Sequence, residues 1–217
     1  SASHELRTPL AVVRSGLESV EKCSNEEERN HFLHLMSEET VHMKRLIDDM
    51  LLLANSDADT LTIKPEACQP DLLLLDTYEK FEPLAKKNGL HLILTLPEEI
   101  LPDCFCDIHR TEQIFSIIVD NALCYTPSGG KVTLSCHAEN EMLCFLFEDT
   151  GCGISEEKKS HIFERFYRAD DAHTDREHFG LGLCIAKELT EKQNGNIQVV
   201  DAPISGSCFM VQLPCAL

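Results

Sequence analysis

Apolar residues recur every three or four positions through the first fifty residues, which is the spacing of one face of an α-helix. In the first segment they are Leu6, Leu10, Val13, Leu17 and Val20. Pro9 lies inside this segment, so a local bend is expected just after His4. The pattern breaks at "CSNEEE", where Ser24 and Glu27 have the spacing of a capping box. A second helix is therefore predicted to begin near Asn25 and to continue through Leu53.

Two helices with so short a connection form an antiparallel hairpin with two apolar stripes. One hairpin offers too little partner surface to cover both stripes, whereas two hairpins can pair into a four-helix bundle. We therefore expect a homodimer through this half. Docking of the hairpin on the second half of its own chain stays open as an alternative.

The pattern changes after the polar stretch "ANSDADT", which we interpret as a linker. Alternating, β-branched and aromatic residues predict strands in "LTIKPE", "LHLILTLP", "DCFCDI", "KVTLSCHA", "EMLCFLFED", "NIQVV" and "GSCFMVQLP". Helices are predicted over residues 70–88, 109–125 and 180–193. This order lacks a strict βαβ rhythm and favours an α+β fold with helices on one face of a mixed sheet. The predicted domains are residues 1–56, the helical hairpin, and residues 57–217.

Composition narrows the function classes. A net charge of −18 argues against general binding of nucleic acid, whose phosphates need a basic surface, but it allows a single nucleotide. No apolar run reaches the roughly 18 residues that a membrane span needs, so no membrane segment is expected in this chain. The sequence begins only three residues before His4, so we expect it to be part of a longer protein.

The chain has 11 cysteines, many of them in apolar segments. Cysteine acts there as a small hydrophobic residue, so reduced, structural thiols in a cytosol are predicted. Cys104 and Cys106 are two apart, which places them on one face of a strand and is a poor spacing for zinc.

Three segments carry candidate chemistry. "EDTGCGI" ends a predicted strand in Asp149, whose carboxylate could accept a hydrogen bond from an exocyclic amine, although such a stretch is also typical of a turn. "GLGLCIAKEL" places Gly180 and Gly182 at a helix start, where backbone N–H groups can bind phosphate. "IIVDNALCYTP" puts Asn121 on a helix, where it could bind Mg²⁺ or serve only in packing.

The charged stretch between the first two of these segments is typical of a lid or of a disordered segment. Phe163 and Phe166 would anchor its start, and Lys158, Arg165 and Arg168 offer charges to a triphosphate.

"HELRTPL", "DNALCYTP", "DTGCGI", "FERFYR" and "GLGL" occur in the order of the H, N, G1, F and G2 boxes of sensor histidine kinases, and the chain resembles that family over nearly its whole length. The resemblance implies a dimerisation and phosphotransfer domain followed by an α/β-sandwich ATP-binding domain. It also implies ATP and Mg²⁺ as cofactors, the receiver domain of a response regulator as partner, and a position as the cytoplasmic portion of an inner-membrane-anchored bacterial sensor.

The resemblance also implies residue roles. His4 would be the phosphoacceptor, Glu5 its acid/base partner, Arg7 a support of that site, and Thr8 a residue that positions water during dephosphorylation of the partner. Asn121 would bind Mg²⁺. The positions matching the nucleotide site are Tyr125, Asp149, Gly151, Gly153, Arg165, Arg168, Gly180, Leu181 and Gly182.

Three positions depart from the family pattern. Ile117 stands where a polar residue is common, Cys124 where a lysine is common, and His178 where a glycine is common. They predict weaker ATP binding. Two alternatives to an active kinase therefore stay open: a signalling scaffold without catalysis, and a hydrolytic ATPase. Ile117 argues against the latter, because it cannot activate water.

Overall fold

The computed structural model describes residues 2–23, 25–167 and 180–216. The described residues up to Leu61 belong to one compact unit, and residues 62–167 and 182–216 form another. The domain boundary between residues 56 and 57 stays a prediction.

The first unit contains two long helices, α1 (Ala2–Val20) and α2 (Glu26–Asp57). The N-cap of α2 is Asn25, whose side chain accepts a hydrogen bond of 3.0 Å from the backbone N–H of Glu27. The predicted helix start is therefore confirmed, but the capping oxygen comes from Asn25. Ser24, for which we predicted that role, lies outside the described residues.

Close packing joins the two helices. A Cβ atom at Gly16 of α1 would lie 2.6 Å from Cγ of Met36 on α2, so the absence of a side chain at this position allows the contact. α2 continues to Asp57, which makes the first part of the predicted linker helical. The large apolar side chains that stay exposed on α1 and α2 are Leu10, Leu17, Leu33, Val41, Ile47 and Leu51.

The second unit combines strands and helices. Its strands are β1 (Glu66–Cys68), β2 (His91–Thr95), β3 (Cys104–Cys106), β4 (Lys131–Glu139), β5 (Met142–Asp149), β6 (Asn196–Asp201) and β7 (Ser207–Pro214). Its helices are α3 (Pro70–Lys87), α4 (Ile108–Tyr125), α5 (Glu156–Lys159) and α6 (Gly182–Glu191).

The main sheet has the strand order β2-β4-β5-β7-β6, with β2 parallel to β4 and the other pairs antiparallel. It is the mixed sheet that the sequence predicted. β4 and β5 form a hairpin whose two connecting residues, Asn140 and Glu141, both have positive φ. β1 and β3 form a separate antiparallel pair.

Burial alternates along the strands of the main sheet, so one of its faces forms the core. On β5 the inward-facing positions are Leu143, Phe145, Phe147 and Asp149. The ring of Phe115 on α4 packs between the rings of Phe145 and Phe147, with centroids 4.9 and 5.0 Å away. α4 therefore covers the face on which Asp149 lies.

The structure corrects two element boundaries. "LTIKPE" is not a strand over most of its length, because β1 begins only at Glu66. The helix predicted from residue 180 begins at Gly182. Of the predicted anchors of the charged segment, Phe163 makes an edge-to-face contact with Phe209 at 6.4 Å between centroids. Among the residues described, no helix combines the length and the hydropathy that crossing a membrane would require.

Candidate nucleotide site and phosphoacceptor helix

Asp149 is the last inward-facing residue of β5, and only 5% of its surface is exposed. Its Oδ1 accepts a hydrogen bond of 2.8 Å from the backbone N–H of Gly151. Burial raises the pKa of the Asp149 carboxyl, while hydrogen bonds from Gly151 and Ser207 act in the opposite direction. A carboxylate held in this way has a fixed direction in which to accept a hydrogen bond from a ligand amine.

Glycines from two loops close around this carboxylate. A Cβ atom at Gly151 would lie 2.5 Å from the carbonyl oxygen of Tyr125, and one at Gly206 would collide with the backbone carbonyl of Asp149. Gly153 and Gly206 both have positive φ, and a Cβ at Gly153 would lie 3.4 Å from the Gly206 oxygen. The end of α4, the end of β5 and the loop before β7 meet here because these positions lack side chains.

Gly206 and Ser207 are missing from the residues that the sequence predicted. Ser207 is 5% exposed and donates to Asp149 through both its backbone and its side chain. The available signal was the "SGS" triplet at the start of the last strand, because a glycine between two small polar residues indicates close backbone approach.

Asn121 lies on α4, one turn before Tyr125. Its Nδ2 donates a hydrogen bond of 2.9 Å to the backbone oxygen of Ile117. This bond uses only the amide nitrogen, so Oδ1, an oxygen of the kind that Mg²⁺ prefers, can still bind a cation. Tyr125 ends the helix and is 40% exposed.

Ile117 contributes to packing between helices. Its Cγ2 lies 3.2 Å from the position that a Cβ atom would take on Gly182, the first residue of α6. The aliphatic residue that replaces the common polar one therefore packs where α4 meets the start of α6. Just before α6, Gly180 has a φ of +70° and Leu181 is buried.

The remaining predicted residues belong to the charged segment that precedes Gly180. Arg165 is exposed. Arg168 and His178 lie outside the described residues.

The predicted phosphoacceptor residues all belong to α1. Positions 4 and 8 are one turn apart and therefore share a helix face. Glu5 is half-buried, and Arg7 and Thr8 are exposed. The side chain of His4 is outside the described part of the structure.

Family comparison covers both units. The family described as "His Kinase A (phospho-acceptor) domain" matches residues 1–59, and the family described as "Histidine kinase-, DNA gyrase B-, and HSP90-like ATPase" matches residues 106–217. The chain belongs to the sensor histidine kinases. This membership confirms the predicted fold, a helical N-terminal region followed by an ATP-binding domain with a mixed sheet.

Relatives within the sensor histidine kinases match almost the whole chain. The adaptive-response sensory kinase SasA of Rippkaea orientalis is 31% identical over 98% of this chain and 56% of its own length. The sensor protein SrrB of Staphylococcus aureus is 32% identical over 99% of this chain and 37% of its own length. The chain thus spans about half or less of these relatives.

Solved histidine kinases share the architecture. AdeS of Acinetobacter baumannii superposes with a TM-score of 0.78 at 22% identity, over 99% of this chain and 98% of its own. Full-length ShkA in complex with AMPPNP superposes with a TM-score of 0.76 at 27% identity, over 99% of this chain and 44% of its own. ThkA in complex with the response regulator TrrA superposes with a TM-score of 0.78 at 19% identity, over 99% of this chain and 60% of its own.

Proposed function

We propose that this chain is an ATP-dependent autokinase that phosphorylates His4 and passes the phosphoryl group to an aspartate of a response regulator. The observation that carries the proposal is the buried Asp149, fixed by Gly151 and Ser207 at a position of the core face that otherwise holds aromatic and aliphatic residues. A packing role alone does not account for a carboxylate there, because burial of the charge is costly.

The chemistry assigned to α1 needs a nucleophile and a proton acceptor. An imidazole has an ordinary pKa near 6.5, so much of it is neutral at cytosolic pH. One ring nitrogen of His4 would attack the γ-phosphorus, the bond to the bridging oxygen would break, and ADP would leave with that electron pair. Glu5 would accept the proton from the other ring nitrogen.

Nucleotide binding would rely on the second unit. Asp149 would accept a hydrogen bond from the exocyclic amine of adenine, and the Tyr125 ring would lie beside the purine. Backbone groups at Gly151, at Gly153 and at the start of α6 would approach the nucleotide closely. At the start of α6 these groups belong to Gly180, Leu181 and Gly182.

Charge neutralisation would come from two sources. Arg165 and Arg168 would face the phosphates. Asn121 Oδ1 fits a Mg²⁺ ion, because the amide nitrogen is already bonded to its own helix. When bound, the ion would neutralise phosphate charge.

The proposed partner is the receiver domain of a response regulator. ThkA, which shares this fold, has been solved with the response regulator TrrA, and that complex supports a partner of this class. Arg7 would support the His4 site, and Thr8 would position water when the same chain dephosphorylates its partner. That this chain is the cytoplasmic portion of a longer, membrane-anchored sensor protein stays a prediction.

The packing of Ile117 disfavours a hydrolytic ATPase. Activation of water at this position would need a carboxylate, whereas the side chain present is aliphatic and packs at the start of α6. A scaffold without catalysis is the remaining alternative, and it differs from the autokinase in forming no phosphohistidine.

The test is incubation with γ-labelled ATP and Mg²⁺ at high protein concentration, followed by acid and alkali treatment. Label that is acid-labile and alkali-stable should appear in the wild type and in the control His34→Gln, an exposed histidine of α2. It should be lost in His4→Gln, which should still bind ATP. Label that persists in His4→Gln, or ATP binding without any label in the wild type, would contradict the proposal.

A further inference from the structure

Three cysteines of the second unit converge at the β1–β3 pair, and none of them is among the residues assigned to the nucleotide. Cys68 on β1 lies directly opposite Cys104 on β3 in the strand register. Cys104 and Cys106 are two residues apart and therefore point to the same face. The Sγ atoms of Cys68, Cys104 and Cys106 all lie within 4.8 Å of one another, and those of Cys68 and Cys106 are 3.4 Å apart.

These separations suit one metal ion. Zinc binds thiolate sulfur at about 2.3 Å, so three sulfurs around one ion would lie roughly 3.8–4.0 Å apart. The 3.4 Å between Cys68 and Cys106 is slightly shorter than this range, and no pair exceeds 4.8 Å, so small adjustments of the side chains are sufficient. An iron–sulfur cluster is a poorer match, because such clusters are usually held by four cysteines and this cluster of described residues has three.

The backbone that carries two of the thiols is held firmly at Asp107, the residue after β3. One carboxylate oxygen of Asp107 accepts from the backbone N–H of Arg110 at 3.1 Å, and the other from that of Lys64 at 2.9 Å. The backbone N–H of Asp107 donates to Gln193 Oε1 at 2.7 Å. Bonds from three segments thus fix the end of β3, which preorganises the thiols.

The surroundings supply the other features of a metal site. Cys104 and Cys106 are fully buried, while Cys68 is half-buried and offers a path of entry. The Thr111 hydroxyl forms a hydrogen bond with Cys106, and it lies 3.4 Å from Gln193 Oε1. Such outer partners orient metal ligands and tune the metal.

We propose that Cys68, Cys104 and Cys106 bind a single Zn²⁺ ion and leave its fourth coordination position to water. Each thiol gives its proton to solvent as its sulfur binds. The spacing of Cys104 and Cys106 in the chain did not predict this site, because the third ligand comes from β1 through strand pairing. The ion would link the two short strands that precede α3 and α4, and the proposal is independent of the kinase activity.

The first test titrates reduced, metal-free protein with Zn²⁺ in competition with a chromophoric chelator. The wild type should take up one tightly bound equivalent, and Cys68→Ser should lose it. The matched control is Cys144→Ser, because Cys144 belongs to the other potential metal-binding group of described residues, with His137 and Glu139. This control should keep the tight equivalent. Loss in Cys144→Ser with retention in Cys68→Ser would overturn the assignment.

A second measurement needs no variant. Alkylation of the native protein with and without Zn²⁺, read by mass spectrometry, should show Zn²⁺-dependent protection of Cys68, the half-buried thiol of the three. Cys152, which is exposed, should be alkylated equally in both samples. Unchanged alkylation of Cys68, or a disulfide between two of the three cysteines in reducing buffer, would overturn the zinc site.

Discussion

At the scale of single residues, Asp149 combines a structural cost with the binding role that we propose for it. The alternation that buries Phe145 and Phe147 also buries this carboxyl group, and burial raises its pKa. A raised pKa means that the folded protein binds this proton more readily than the unfolded chain. The contribution of Asp149 to stability therefore falls as pH rises through the folded-state value.

Asp149→Asn should separate these two effects. The amide keeps the shape and an oxygen that can accept from Gly151, but it removes the charge. We expect unfolding at neutral pH to occur at an equal or higher temperature, and ATP affinity to fall by roughly 10- to 100-fold, because a hydrogen bond to a charged group contributes about 1.5–3 kcal/mol. Thermal unfolding and nucleotide titration measure the two.

Glu148→Gln is the control, because Glu148 is the preceding residue of β5 and points to the other face of the sheet. It should change neither quantity. Unchanged ATP affinity in Asp149→Asn would remove Asp149 from adenine binding.

At the scale of elements, the loop before β7 forms one wall of the candidate site. Gly206 has a φ of +91°, and any Cβ atom there would meet the backbone of Asp149. Two separate penalties therefore act at this position: the strained φ and the collision.

Gly206→Ala and Gly129→Ala together distinguish the penalties. Gly129 has a φ of +86°, but the space around its Cβ position is empty to 4 Å. Gly129→Ala should therefore cost only the strain of positive φ, about 1–2 kcal/mol in the free energy of unfolding. Gly206→Ala should cost more and should also weaken ATP binding. Chemical denaturation measures the free energy of unfolding of both variants. Equal decreases would show that the contact of residue 206 with β5 does not influence stability.

The elements differ in how far the sequence predicted them. β4, β5 and β7 follow from alternation, because each has one buried face. β1 does not: the alternation in "LTIKPE" precedes it, and the strand itself is defined by pairing with β3. Pairing between distant segments leaves no local signal in three residues. The N-cap of α2 is likewise Asn25 and not the predicted Ser24, because neighbouring polar residues compete for the capping role.

The candidate site shows the same limit. Asp149 and its glycines stand out because an acidic residue and two glycines interrupt an apolar strand pattern. Ser207 interrupts no apolar pattern, because it is the first residue of its strand, and only the neighbouring glycine marks the position. Its role depends on β7 lying beside β5, which is a matter of topology. The proximity of Cys68, Cys104 and Cys106 also depends on the register between β1 and β3.

At the scale of the whole molecule, the exposed apolar residues of α1 and α2 favour the proposed homodimer. Leu10 and Leu17 are 57% and 55% exposed and are two turns apart on α1, so they extend one apolar stripe. A second hairpin would cover such a stripe.

Leu17→Glu should therefore weaken dimerisation. A two-fold interface contains two copies of the residue, and burial of each leucine contributes about 1.5–3 kcal/mol, so we expect the dissociation constant to rise by roughly 100-fold or more. Ile100→Glu is the control, because Ile100 is fully exposed in the other unit. Sedimentation velocity measures both variants. An unchanged dimer in Leu17→Glu would exclude this face as the interface.

The order in which the main sheet folds follows from its connections. β4 and β5 are joined by only Asn140 and Glu141, so their pairing closes a very short loop. β2 pairs with β4 in parallel, and this pairing must first close the long segment that contains β3 and α4. Because loop closure costs more entropy as the loop lengthens, the hairpin should form early and β2 should dock late.

In pulse-labelling hydrogen exchange during refolding, the amides of β4 and β5 should gain protection before those of β2. Earlier protection of β2 would exclude this order.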